Sequence, residues 1–87
     1  MEQIFNMRKV KIGTKVLFIN KNNKDIFWVG FINKEKRLNY IANHSGKVNL
    51  VKDYDIITTI KNCFDMWNIF IFDNKEEMNS FLVLSRL

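Results

Sequence analysis

Ile26-Phe27-Trp28-Val29-Gly30-Phe31-Ile32 is the longest run in the chain without a polar side chain. Its aromatic and β-branched residues suit a central strand. Gly30 within it marks a bulge or the close approach of a neighbouring chain. Upstream, Asn20 to Asp25 is a polar turn cluster. Before that turn, Lys9 to Ile19 (KVKIGTKVLFI) reads as a strand with a bend at Gly13-Thr14. Val16 and Phe18 lie on one face, Leu17 and Ile19 on the other. Downstream, Asn33 to Arg37 is a second turn, Leu38 to Ala42 a short strand, and His44 to Lys47 a third turn. Val48 to Lys52 alternates again, Asp53-Tyr54-Asp55 breaks the pattern, and Ile56 to Ile60 (IITTI) follows as a strand. Short strands at such close spacing predict a small barrel or sandwich.

The last third changes character. Asn62 to Asn68 fits either a turn or the end of a hairpin, and Ile69 to Phe72 is a buried strand. Asp73 stands three residues before Glu76, which predicts an N-cap with a reciprocal partner. Glu76 and Glu77 in the first turn and Arg86 in the last suit the helix dipole. Met78, Phe81 and Leu82 form one stripe, with Ser85 continuing it. A helix over about residues 74–85 follows, packed on the sheet. The expected fold is mainly β within the α+β class: a small antiparallel barrel or bent sheet of five to six strands with a C-terminal helix. It forms one domain over 1–87, with barrel-like strands over 9–60 and a strand plus helix over 61–87.

Composition agrees with a single globular unit. The chain has 87 residues, 47% of them hydrophobic, too apolar for a disordered tail and too few for two ordinary domains. The lone Cys63 excludes an internal disulfide, which suits a reducing cytoplasm. No stretch has the length of a membrane helix, and no apolar run follows the first basic residues as a secretory signal requires. Eleven Ile, 12 Asn, 11 Lys and 8 Phe make up 42 of the 87 residues, all from A/T-rich codons, which associates the chain with an AT-rich bacterial, phage or plasmid genome.

The net charge of +5 hides an asymmetry. Residues 1–52 carry 11 Lys and Arg against 3 Asp and Glu; residues 53–87 carry 3 against 6. Such a split points to an anionic partner for the first half. Arg8, Lys9, Lys11 and Lys15 are expected along the first strand, Lys34, Lys36 and Arg37 in one turn, and Lys47 and Lys52 beside the fourth strand. Cations placed along a groove bind phosphates and release counterions. Trp28, Tyr40 and Trp67 are the aromatic candidates for stacking on bases. With only three arginines, contact with a nucleic acid is expected to be largely independent of sequence.

Other motifs point to little chemistry. His44, beside Ser45 and Gly46, reads as an exposed turn residue without the short-spaced companions of a metal site. Cys63 between Ile60 and Phe64 reads as a small core hydrophobe, not a nucleophile paired with His44. Asp53 and Asp55 read as a turn aspartate and one at the start of a strand, not as a catalytic pair. Gly13, Gly30 and Gly46 are too far apart for a phosphate loop. No catalytic residue, metal or cofactor is expected.

Gly13 before the Val16 and Phe18 strand, a strand with Trp28 and Gly30, a strand with Tyr40, the Gly46 turn, Val48 and Val51, and a closing Asp55-Ile56 with Ile60 together resemble the Tudor branch of SH3-like barrels. The resemblance covers roughly residues 9–60. It implies an aromatic cage for a methylated Lys or Arg side chain, with Phe27 or Trp28, Tyr40 and Tyr54 at the cage positions; strand alternation lets only one of Phe27 and Trp28 face it. The positive excess of this half repels a cationic ligand, and other SH3-like barrels bind nucleic acid or protein strands. The expected function is therefore non-enzymatic binding, with nucleic acid as the partner. The alternative is a phage or mobile-element inhibitor or adaptor, anti-CRISPR-like in mode, that docks on an acidic surface of a host defence protein or through Trp67 and Phe64.

Overall fold

The computed structural model describes residues 6–48 and 52–85. Five antiparallel strands form one sheet: β1 (Lys15–Asn20), β2 (Phe27–Ile32), β3 (Leu38–Asn43), β4 (Gly46–Lys47) and β5 (Trp67–Phe72). Two α-helices accompany it, α1 (Ile56–Cys63) before β5 and α2 (Lys75–Ser85) after it. The strand order is β4-β3-β2-β1-β5, so the last strand returns to pair with the first. The α+β class, the bent five-stranded sheet and the C-terminal helix all match the sequence reading.

The SH3-like or Tudor barrel does not. The sheet is open: among the described residues no strand joins β4 to β5. The cause is local and lies at residues 55–63. Ile56 to Ile60, expected as a strand, begins α1. The Asp55 carboxylate accepts the Thr58 N–H at 2.9 Å and caps the helix. Ile56 and Ile60, four residues apart, bury on one side of it. The β-branched residues cost only tenths of a kcal/mol each in a helix, less than capping and burial return. The segment that would close a barrel is thus consumed as a helix, and Tyr54 contributes only an isolated bridge to Leu38.

The first strand is also shorter than its alternation predicts. Met7–Lys9 forms a 3-10 turn, and the strand begins at Lys15. Gly13, at φ +91°, makes the turn between them and donates its N–H to Ile32 O at 2.8 Å. The buried Thr14 accepts the Lys11 N–H on its hydroxyl at 3.1 Å. Arg8, Lys9 and Lys11 therefore stand on a fastened turn, and of the expected first-strand cations only Lys15 is on a strand. The close approach expected at Gly30 is present. The β2–β3 register shifts between Val29 and Gly30, and a Cβ at Gly30 would lie 2.7 Å from Asn39 O. The expected strand over Val48 to Lys52 falls largely on 49–51, outside the described residues. At α2 the cap is Asn74, not Asp73: its side-chain oxygen Oδ1 accepts the Glu77 N–H at 2.9 Å. Arg86 lies outside the described residues.

Alternation along β1 divides the core in two. Val16 and Phe18 join Ile32, Leu38, Ile69 and Ile71 on the face covered by α1. Leu17 and Ile19 join Val29, Phe70, Phe72 and Met78 on the face covered by α2. β1 is buried on both faces from Val16 to Ile19.

Candidate binding site

Strand directions sort the predicted site residues into two groups. Lys15 opens β1 opposite Phe31 near the end of β2 and opposite Phe72 at the end of β5. The 33–37 hairpin leaves the sheet at this same end, and the 11–14 turn is bonded to Ile32 beside it. Arg8, Lys9, Lys11, Lys15, Lys34, Lys36 and Arg37 therefore gather at one end. Lys52 runs along the edge of β3, where its carbonyl accepts the Asn39 amide at 3.4 Å. Lys47, on β4, is at the opposite end.

Asn33 builds the hairpin. Its side-chain oxygen accepts the N–H groups of Glu35 at 3.0 Å and Arg37 at 2.9 Å, and its amide donates to Asn39 at 2.8 Å. Lys36 occupies the left-handed region at φ 59°. Arg37 is paired through Nε with Asp53 at 2.9 Å, so its charge is partly spent. Asp53 and Asp55 have separate partners: one holds Arg37 and the other caps α1. The nearby helical N–H and hydroxyl of Thr58, and more weakly Arg37, hold the Asp55 carboxyl below its ordinary value.

Arg8, Lys9 and Lys11 line an open cleft of about 470 Å³ with Val10, Thr14 and the end of β5. Asp73 lies in the same cleft, so three cations face one carboxylate. Glu76 and Glu77 follow in the first turn of α2. The carboxylates of the last third thus return to the cationic end, but α2 packs on the Leu17 face, whereas Val10 packs on the Val16 face. Lys15 projects to the other side, over the Phe31 ring at 5.5 Å.

The aromatic candidates meet elsewhere. Trp28, Tyr40 and Trp67, from three strands, line one cavity of about 310 Å³ with Phe18, Tyr54 and Cys63. Tyr40 stands at its centre, 5.2 Å from Trp28, 5.4 Å from Tyr54 and 5.8 Å from Phe18 between ring centroids. Trp28 and not Phe27 faces it, as alternation requires; Phe27 packs on the α2 face. The cavity exists because α1 covers the aliphatic part of its face with Ile56 and Ile60 and leaves the rings partly exposed. Burial pushes the Tyr40 hydroxyl up to about 12, with Cys63 and Tyr54 adding to the effect, so it remains a protonated donor at neutral pH. Burial also raises the Cys63 thiol above its ordinary value. His44 is an exposed turn residue, edge-on to Phe27.

Tyr54, Phe18 and Cys63 complete the cavity beyond the three expected stacking aromatics. The Asp55-x-x-Thr58 spacing is the signal that would have placed Cys63, since a helix from Ile56 brings it round to the side of Ile56 and Ile60. Among the described residues no group of three or more His, Cys, Asp or Glu is placed to hold a metal, and no helix is long and apolar enough to cross a membrane. Neither the protein-family models, nor the curated proteins, nor the solved structures compared with this chain match it.

Proposed function

We propose that this protein binds single-stranded nucleic acid through its phosphates at the cationic end of the sheet. The observation that carries this reading is the convergence of Arg8, Lys9 and Lys11 on one cleft, with Lys34 and Lys36 on the adjoining hairpin. Each exposed cation on a fastened turn neutralises a phosphate at little ordering cost, and the counterions released make the affinity depend on salt. The cations are mostly lysines, compact charges that suit backbone contact rather than base reading.

The test is binding of a short single-stranded oligonucleotide over a series of salt concentrations. Affinity is expected to fall steeply with salt, and the double substitution Arg8→Gln, Lys11→Gln to flatten the log–log slope by roughly 1.4–1.8. An absence of binding at low salt, or an affinity indifferent to salt, contradicts the reading.

A protein partner is the second reading. Phe64, at 62% exposure, and Met66, at 57%, stand in the turn that leads into Trp67. Lys21 lies over the Phe64 ring at 5.8 Å. An apolar turn beside a half-buried tryptophan has the character of an interface anchor. A complex with a purified partner that survives nuclease treatment and is lost on Phe64→Ser favours it.

A further inference from the structure

The cationic end does not use the aromatic cavity, and the cavity has features that a structural cluster of rings does not need. Its walls are Phe18, Trp28, Tyr40, Tyr54 and Trp67, with Cys63 from α1. Four of these carry a polar tip: two indole N–H groups and two phenol hydroxyls. Among the described residues none of the four tips makes a hydrogen bond to protein, and none is buried without a partner. Tyr and Trp join an apolar ring to a polar donor tip, so the cavity pairs ring faces with four groups able to donate a hydrogen bond. The volume of about 310 Å³ is at the low end of the roughly 300–1,000 Å³ typical of small-ligand sites. It takes one planar ring system, not a helix or a strand.

We infer that the cavity receives a single unstacked nucleobase of the bound strand, held between the aromatic faces with its polar edge toward the tyrosine hydroxyls and indole N–H groups. The inference rests on the reading of the cationic end as a phosphate site. The occupant is a base, not a partner's apolar side chain, because its edge can accept from the indole and phenol donors of the lining and a hydrocarbon cannot. Among the described residues no carboxylate lines the cavity to favour a cationic group. The phosphates attached to the base have cations within reach: Lys52 runs along the edge of β3 that carries Tyr40, and Val10, between Lys9 and Lys11, packs on the same face as the rings. A strand drawn along that face meets both features, whereas a stacked duplex presents no base to the cavity.

Trp28 and Trp67 are the two tryptophans of the chain, so intrinsic fluorescence reports on this cavity. The experiment compares a short single-stranded oligonucleotide with an abasic strand of equal length at low salt, with Cys63 alkylation as a second readout. The normal strand is expected to quench fluorescence and to slow alkylation severalfold. The abasic strand is expected to bind more weakly and do neither. Tyr40→Ala is expected to weaken the normal strand by roughly 5- to 150-fold and leave the abasic strand unchanged, with Tyr40→Phe recovering the stacking part of the loss but not the part due to the hydroxyl. Equal affinity for both strands without quenching overturns the base-binding inference and leaves the phosphate site standing. Binding of neither strand overturns both. Quenching by choline, or by a partner peptide when neither strand quenches, also overturns it.

Discussion

The two faces of the sheet are built from the same strands and finished differently. On the α2 face, Leu17, Ile19, Val29, Phe70 and Phe72 are closed over by Met78 and Phe81. The Phe81 ring lies 4.8 Å from Phe70 and 5.3 Å from Phe72. On the α1 face, Ile56 and Ile60 seal the aliphatic part, and the rings beyond them stand around a cavity. A small domain has little apolar surface to spare. Leaving four rings, Trp28, Tyr40, Tyr54 and Trp67, partly uncovered on one face is tolerable because the other is closed. Both faces carry core, and the α1 face combines it with the ring-lined cavity proposed above as a binding surface.

Substitutions on the two faces should separate these roles. Leu17→Ala removes a side chain with no exposed surface, and is expected to cost about 2–5 kcal/mol in urea unfolding, the largest effect of the set. Gly30→Ala is next: its Cβ would meet Asn39 O at 2.7 Å and Leu38 Cδ1 at 2.9 Å. Backbone does not yield easily, so about 1–3 kcal/mol is expected, with the β2–β3 register disturbed next to Tyr40. Trp67→Ala should cost less stability than Leu17→Ala, about 1–2 kcal/mol, while abolishing most of the fluorescence response to oligonucleotide. A Trp67→Ala loss as large as that of Leu17→Ala would erase the distinction between the faces.

The smallest effect concerns the helix that leaves the cavity open. The Asp55 carboxyl is held below its ordinary value, chiefly by the Thr58 N–H. Its capping contribution is present above the ordinary carboxylate pKa and is lost as pH falls through the lowered one. Asp55→Asn keeps an acceptor at the cap and removes that charge. Thermal melts at neutral and acidic pH should show the wild type losing more Tm than Asp55→Asn on the acid side. An identical acid response in the two proteins would mean that Asp55 does not hold α1.

The parts of the fold legible in the sequence are those where local pattern and tertiary packing agree. The alternation of Val16 to Ile19, the run from Phe27 to Ile32 and the Met78-Phe81-Leu82 stripe each decide one element without reference to the rest. Ile56 to Ile60 is the conflict. Its β-branched residues read as a strand, but the Asp55 cap and the i, i+4 burial of Ile56 and Ile60 make it helical, and the barrel expectation fails with that one segment. The site divides in the same way. That the Arg8 to Lys11 cations lie together needs only their nearness in sequence. The meeting of Trp28, Tyr40 and Trp67 depends on β5 pairing with β1 between residues 47 to 57 positions apart, and no local pattern announces such a pairing.

Amide and indole NMR shifts during titration with a short single-stranded oligonucleotide at low salt test the account most directly. It predicts movement at residues 8–15, at 33–37 and at the side-chain N–H signals of both tryptophans, with α2 quiet. Shifts confined to α2, or a spectrum that does not respond, would contradict it.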